Sequence, residues 1–265
     1  MKKSKYIEDA FAELEKEVGA MESEMDSMAQ EFLSEFSISS NELENISTNY
    51  EKSNASNGIF DKAFSTFVGT FLIRLAGKIL GSVDVAVLDF KSKGIQPIGD
   101  ERKLVSDMIG YSEGKIVKNG YLWRLGKMDI LKQKFHDYIL KSVASTQKVN
   151  RFLKDAKPIF VSTEKRRSDF ASYYARYAYD SVVQATNSIS LRIADARGLD
   201  RFEYEGDLSR DSRLFCVEHA GEIYTRADAK KFNEMNWRGK IQGVDFLIAV
   251  GGYNCIHVIN WLPNE

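Results

Sequence analysis

The chain has 265 residues, 43% of them hydrophobic and 28% charged, with a net charge of −1. That is enough apolar material for a soluble folded protein of one large or two ordinary domains of about 150 residues each, and it excludes collagen-like, mucin-like and wholly disordered chains. Charge is unevenly spread: residues 1–52 hold five lysines and thirteen acids, a local sum of −8, so the remainder carries +7. Two layouts fit, an acidic arm on a mildly basic body that binds a partner, or long surface helices that are simply charged.

The basic start Met1-Lys2-Lys3-Ser4-Lys5 is followed by acidic, amphipathic sequence and no hydrophobic signal region. The longest apolar candidate, Phe67 to Ile73, is seven residues long and ends at Arg74, far short of the roughly 18 residues that a membrane span requires. A cytoplasmic origin and no membrane span are therefore expected. The two cysteines, Cys216 and Cys255, suit a reducing compartment better than a disulfide scaffold.

Ile7, Phe11, Leu14, Val18, Met21, Met25, Met28 and Phe32 alternate spacings of four and three, which predicts one coiled-coil-type helix over about residues 5–36. Three methionines and Gly19 make the seam soft, so packing on another helix of the same chain or on a partner is at least as well supported as self-association. Residues 37–58, rich in Ser and Asn, read as a linker or loose loop. A second amphipathic helix places Phe60, Phe64, Phe67, Phe71, Leu75, Ile79 and Val83 on one stripe, with Asp61, Lys62, Arg74 and Lys78 opposite, a pattern of core burial.

Gly94 to Gly99, around Pro97, marks a break, and residues 100–157 read as short helices with a turn between Gly110 and Gly120. Pro158 is expected to end that block. Ser162 or Thr163 then caps a helix carrying Tyr174, Ala178, Val182, Ala185, Ile189, Ile193 and Ala196, with Gly198 at its left-handed C-terminal position. Residues 146–201 hold eleven basic and six acidic residues, a modest excess for a DNA-binding face. From Phe202 the texture changes to short apolar runs between Gly-containing turns, and Thr225-x-x-Asp228 reads as a capping box. The expected fold is α+β and predominantly α: a helical arm and linker over 1–57, a helical body over 58–200 and a small α+β module over 201–265.

Both cysteines and two of the three histidines fall in that module, as Cys216-Val217-Glu218-His219 and Cys255-Ile256-His257. Each spacing puts its two side chains on one side of a turn or strand, and Cys216, His219, Cys255 and His257 together would form a tetrahedral zinc site of structural type. The plain alternative is buried cysteines and hydrogen-bonded core histidines. A Cys/His nucleophile lacks an orienting third group, Asn254 with His257 is a poor nuclease pair, and Gly251-Gly252 is a tight turn without the context of a dinucleotide site. His136 reads as a satisfied helical histidine.

The string Phe202-x-Tyr204-Glu205-Gly206, Ser212-Arg213-x-Phe215-Cys216, Gly221-Glu222-Ile223-Tyr224-Thr225, Trp237-x-Gly239-Lys240 and Gly251-Gly252-Tyr253-Asn254-Cys255-Ile256-His257, with Trp261 after it, resembles the C-terminal module of phage minor head proteins, the head morphogenesis or Mu F-like family. The resemblance covers residues 200–263, and Ile256 stands where family members commonly have Arg. It implies a non-enzymatic structural component of the virion, made in the host cytoplasm. Such a component joins the head during assembly, associates with the portal and other head or neck proteins, and lies in the capsid interior or at the portal vertex as part of an oligomer, with non-specific contact to packaged DNA. The competing expectations are a Cys/His-dependent enzyme or toxin-like effector, for which fused relatives carry extra chain beyond the position of Trp261, and a DNA-binding protein using residues 163–197.

Overall fold

The computed structural model describes residues 2–264 and is 63% helix and 9% strand in small sheets, so the chain is predominantly α with a small α+β portion. In chain order it forms α1 (Lys3–Leu33), β1 (Ile38–Ser39), β2 (Glu42–Leu43), α2 (Ser47–Asn54), α3 (Asn57–Ala63), a π-helical turn (Phe64–Val68), α4 (Gly69–Ser92) and α5 (Glu101–Ile109). There follow β3 (Tyr111–Ser112), β4 (Lys115–Ile116), α6 (Tyr121–Lys127), α7 (Asp129–Ala144), α8 (Val149–Phe160) and α9 (Asp169–Ala196). The chain ends in β5 (Arg201–Glu205), α10 (Leu214–His219), β6 (Ile223–Thr225), α11 (Arg226–Glu234), α12 (Phe246–Ala249) and β7 (Val258–Trp261). Among the described residues no helix is long and apolar enough to cross a membrane. Two compact units interleave along the sequence, Met1–Leu14, Arg74–Lys115 and Arg176–Glu265 in one, Glu15–Ile73 and Ile116–Ala175 in the other; the sequence divisions at 57 and 200 fall inside them.

The heptad stripe of α1 is buried from Ile7 through Phe11, Leu14, Val18 and Met21 to Met25. Beyond that point Met28 and Phe32 are only half-buried, and Ala29, Leu33 and Phe36 take their place. A strict seven-residue repeat drifts by about 20° per heptad on a straight helix, so an unsupercoiled α1 changes its buried row by one residue. The stripe is covered by the chain's own residues: Phe11 stacks on Tyr179 with centroids 4.3 Å apart.

In the second unit, the Ser- and Asn-rich stretch expected to be a loose loop is folded into β1, β2 and α2. Polar residues that suggest a linker are instead buried and hydrogen-bonded within the fold. Asn49 is fully buried; its amide accepts from Ser37 N at 2.9 Å and donates to the carbonyls of Ser37 and Glu44 at 3.1 and 2.7 Å. His136 on α7 is satisfied, with Nδ1 2.9 Å from the Ser53 carbonyl. The apolar material is a cluster of rings: Phe135 lies 5.0 Å from Phe160 and 6.2 Å from Phe60, and Phe36 lies 5.7 Å from Phe152. The π-helical turn inserts an extra residue and moves the buried row from Phe64 and Phe67 to Ala63 and Val68. Pro158 does not end α8, which continues to Phe160. The cap of α9 is neither Ser162 nor Thr163 but Ser168, whose Oγ accepts from Ala171 N at 2.9 Å, one of the otherwise unpaired first-turn donors.

In the first unit, β5 is the middle strand of an antiparallel sheet ordered β6-β5-β7. Phe202 faces Tyr224 on one side and Trp261 on the other, and Tyr204 faces Ile259. The sheet does not stand alone as a module. Glu205 accepts from Ser4 Oγ at 2.7 Å. Lys3, fully buried, donates to the Ile259 carbonyl at 2.9 Å and pairs with Asp89 at 3.4 Å. Burial pulls the Lys3 ammonium down to about 8, against the attraction of Asp89. Fully buried Asn187 of α9 accepts from Ile259 N and donates to the Ile248 carbonyl, at 3.0 and 3.1 Å, tying β7 and α12 to the helix. The Thr225–Asp228 capping box is formed in both directions.

Candidate metal centre

Alternation along β5 puts Phe202 and Tyr204 on the same face, where both are fully buried in a layer of rings. Tyr204 stacks on Phe246 at 6.0 Å and on His257 at 4.8 Å, and Phe215 stacks on Trp237 at 4.0 Å. Two elements bring sulfur to this layer. α10 directs Cys216 inward, and the loop at 250–255 directs Cys255.

The loop is fixed from several sides. Gly252 has φ +97° and a Cβ there would overlap the Gly239 carbonyl. Tyr253 N donates to Gly239 O at 2.9 Å and Trp237 Nε1 donates to Gly251 O at 3.0 Å. Arg213 donates to the Tyr253 carbonyl, and Asn254 N donates to Asp180 Oδ1 at 2.7 Å. Burial raises the Asp180 carboxyl to about 6, against the Asn254 hydrogen bond and the charges of Arg176 and Arg213.

Three of the four residues expected to form a metal site converge. The donor atoms of Cys216, Cys255 and His257 all lie within 4.8 Å of one another. The two sulfurs are 3.9 Å apart, and Cys255 Sγ is 3.5 Å from His257 Nδ1. Both cysteines are free thiols, 2% and 4% exposed.

His219 does not join the set. Its ring packs on Phe215 and Phe232, with centroids at 4.4 and 5.0 Å, and Nδ1 lies 2.7 Å from the Tyr224 hydroxyl. The reason is helical: on α10, His219 follows the side of Phe215, one turn earlier, toward the β6–α11 corner.

In its place stands a residue that counting Cys and His misses. Tyr204 Oη lies 3.4 Å from Cys216 Sγ and 3.7 Å from Cys255 Sγ. Its signal in the sequence was the two-residue step from Phe202, which commits both to the buried face.

Two glycines make the arrangement possible sterically. A Cβ on Gly251 would lie 2.6 Å from Cys255 Sγ and Tyr204 Oη and 2.8 Å from Cys216 Sγ, and one on Gly206 would lie 2.6 Å from the His257 ring.

The two sulfurs are coupled through a shared hydrogen bond. The hydrogen bond from Cys255 brings the Cys216 thiol down to about 4, against burial and with help from His257 and Tyr204. That same interaction and burial push the Cys255 thiol well above its ordinary range, and burial pushes Tyr204 up. A set of this kind can hold a soft cation or be oxidised to a disulfide. At 2–4% exposure it is closed to a substrate.

The other sequence candidates are structural. Asn254, at φ 55°, serves the loop through its backbone. In the basic stretch 146–201, Arg151 pairs with Asp155, Arg167 with Glu15 and Arg192 with Asp100, and Arg197 donates to the Gln96 and Pro97 carbonyls. Compared with known proteins, the chain matches no family model, no curated protein and no solved structure.

Proposed function

We propose that this protein is a non-enzymatic structural component of a phage head, of the minor head class that residues 200–263 resemble. The observation that supports the reading most is the convergence of the residues carrying the resemblance. Phe202, Tyr204, Phe215, Gly251, Gly252, Cys255 and Trp261 meet in one buried layer, with half-buried Trp237 stacked on Phe215, so these motif residues serve packing. The same burial argues against the enzyme and effector readings, because a nucleophile or general base has to reach its substrate.

On this reading the protein resides in the virion, at the capsid interior or portal vertex, with the portal and neighbouring head proteins as partners. The apolar stripe of α1 is taken up within the chain, and some of its acids pair there too, Glu13 with Lys78 and Glu15 with Arg167; a partner would meet the exposed remainder of its acidic face. Packaged DNA is a minor contact, because many of the arginines in the basic stretch are already paired.

Mass spectrometry of heads purified from cells making the whole phage tests this. The protein is expected in mature heads at low, fixed stoichiometry to the portal and to be lost from heads assembled without portal. Purified heads that lack it while the lysate retains it in free form would overturn the assignment.

A further inference from the structure

We propose that Cys216, Cys255 and His257 bind a single zinc ion with the Tyr204 hydroxyl as the fourth donor, in place of the Cys2His2 set that sequence spacing suggests. A tetrahedral ion with bonds of about 2.3 Å to sulfur and about 2.0 Å to nitrogen or oxygen has edges of about 3.8 Å between two sulfurs and about 3.5 Å between sulfur and nitrogen or oxygen. The corresponding separations are 3.9 Å for Cys216–Cys255, 3.5 Å for Cys255–His257, and 3.4 and 3.7 Å from Tyr204 to the two sulfurs. Four of the six donor separations thus stand at the spacing of a filled tetrahedron, and Cys216 and His257 lie within 4.8 Å of one another.

The chemistry of the set selects the ion. Two thiolates and an imidazole favour zinc over hard cations. Two thiolates also neutralise the dication, so the ion and its sulfurs together bring no net charge into a site buried this deeply. Loading the site takes both sulfurs as thiolates, any proton still on a thiol passing to solvent, and forms two zinc–sulfur bonds, one zinc–nitrogen bond and one zinc–oxygen bond. Gly251 is part of the site in a negative sense. The Cβ of any other residue would press on both sulfurs and the phenol oxygen together.

The ion would join α10 and the 250–255 loop to the paired strands β5 and β7. His219 is a bystander, held by Tyr224.

The test uses the full chain, purified under reducing conditions without chelator. Elemental analysis is expected to give one zinc per chain. The metal-free protein is expected to take up one cobalt(II) with the visible bands of a tetrahedral thiolate site. Tyr204→Phe should keep the stoichiometry, shift the cobalt bands and raise the zinc Kd about 10–100-fold, the scale on which groups supporting a metal act, while His219→Ala leaves bands and Kd unchanged. Cys255→Ser should abolish uptake.

Because the wild-type measurements need no variant, a Cys255→Ser chain that fails to fold leaves the test intact. Folded wild-type protein that holds no zinc and takes up neither zinc nor cobalt would overturn the proposal, whether its thiols are found free or joined as a Cys216–Cys255 disulfide. A cobalt spectrum altered by His219→Ala and indifferent to Tyr204→Phe would overturn the donor set.

Discussion

The ring cluster of the second unit and the sheet layer of the first are both aromatic cores, but they are specified differently. Around Phe135 the neighbours are other phenylalanines at ordinary ring distances, so volume and burial decide the packing and a similar apolar side chain can replace another. Around Tyr204 the neighbours are two sulfurs, an imidazole and the bare backbone of Gly251, each acceptable at one position and in one orientation. A core of the first kind is written in the sequence as periodic hydrophobicity. A core of the second kind is written as a scatter of Gly, Cys, Tyr and Trp without a period.

That contrast is sharpest at Gly252. Its positive φ and the carbonyl of Gly239 behind it leave no place for a methyl group, and the obstructing atom is backbone. Gly252→Ala is expected to cost about 4 kcal/mol or more, at the extreme of single substitutions, as measured by urea unfolding; a loss below about 1 kcal/mol would mean that the loop is free to shift. In the other core, Phe135→Ala is expected to cost about 3–4 kcal/mol but Phe135→Leu less than about 1.5 kcal/mol. Should the leucine variant lose as much as the alanine variant, the ring cluster is as exacting as the sheet layer and the contrast disappears.

Asp180 gives a pH-dependent probe of the loop. Its folded pKa, about 6, lies above the ordinary 3.8, so the fold holds the proton more tightly than the unfolded chain does. The associated stability is fully present below about pH 3.8 and is lost as pH rises through about 6. Asp180→Asn keeps an acceptor for Asn254 and removes the charge. Relative to wild type it should be more stable by roughly 2 kcal/mol at pH 7.5, somewhat less than the full displacement implies because the carboxylate keeps some solvent, with the difference vanishing near pH 4. Equal unfolding free energies at pH 7.5 would show that the carboxylate is charged at no cost. The smallest expected effect is at the capping box, where Thr225→Ala should cost about 1 kcal/mol and, with Asp228 no longer held, unravel the start of α11 first in hydrogen exchange.

How much was readable follows the same division. The periodic elements were legible: the α1 stripe, the Phe-rich helix around Phe71 to Val83, the α9 helix with Gly198 at φ +63° beyond it, and the Thr225 cap. The errors arose where one residue type serves two physical purposes. Ser and Asn mark turns, but buried Asn49 holds the backbone at residues 37 and 44 and buried Ser53 donates to the Tyr50 carbonyl; Pro158 marks an end, but α8 carries it two residues before its terminus. At the candidate site the cysteines and His257 could be paired by their spacing. Spacing within a motif points to His219 and passes over Tyr204, because it says nothing about which way a six-residue helix turns in the tertiary fold or which strand residue fills the vacated corner.

On the proposal above, one buried tetrahedron of donors, two sulfurs, one imidazole and one phenol, organises the C-terminal sheet. X-ray absorption at the zinc edge on the purified protein reads that donor set without any variant. The expected first shell is two sulfurs at about 2.3 Å and two lighter atoms at about 2.0 Å, one of them an imidazole with its outer-shell scattering. A shell with two imidazoles, or one made wholly of light atoms as from zinc bound at the surface, would contradict it.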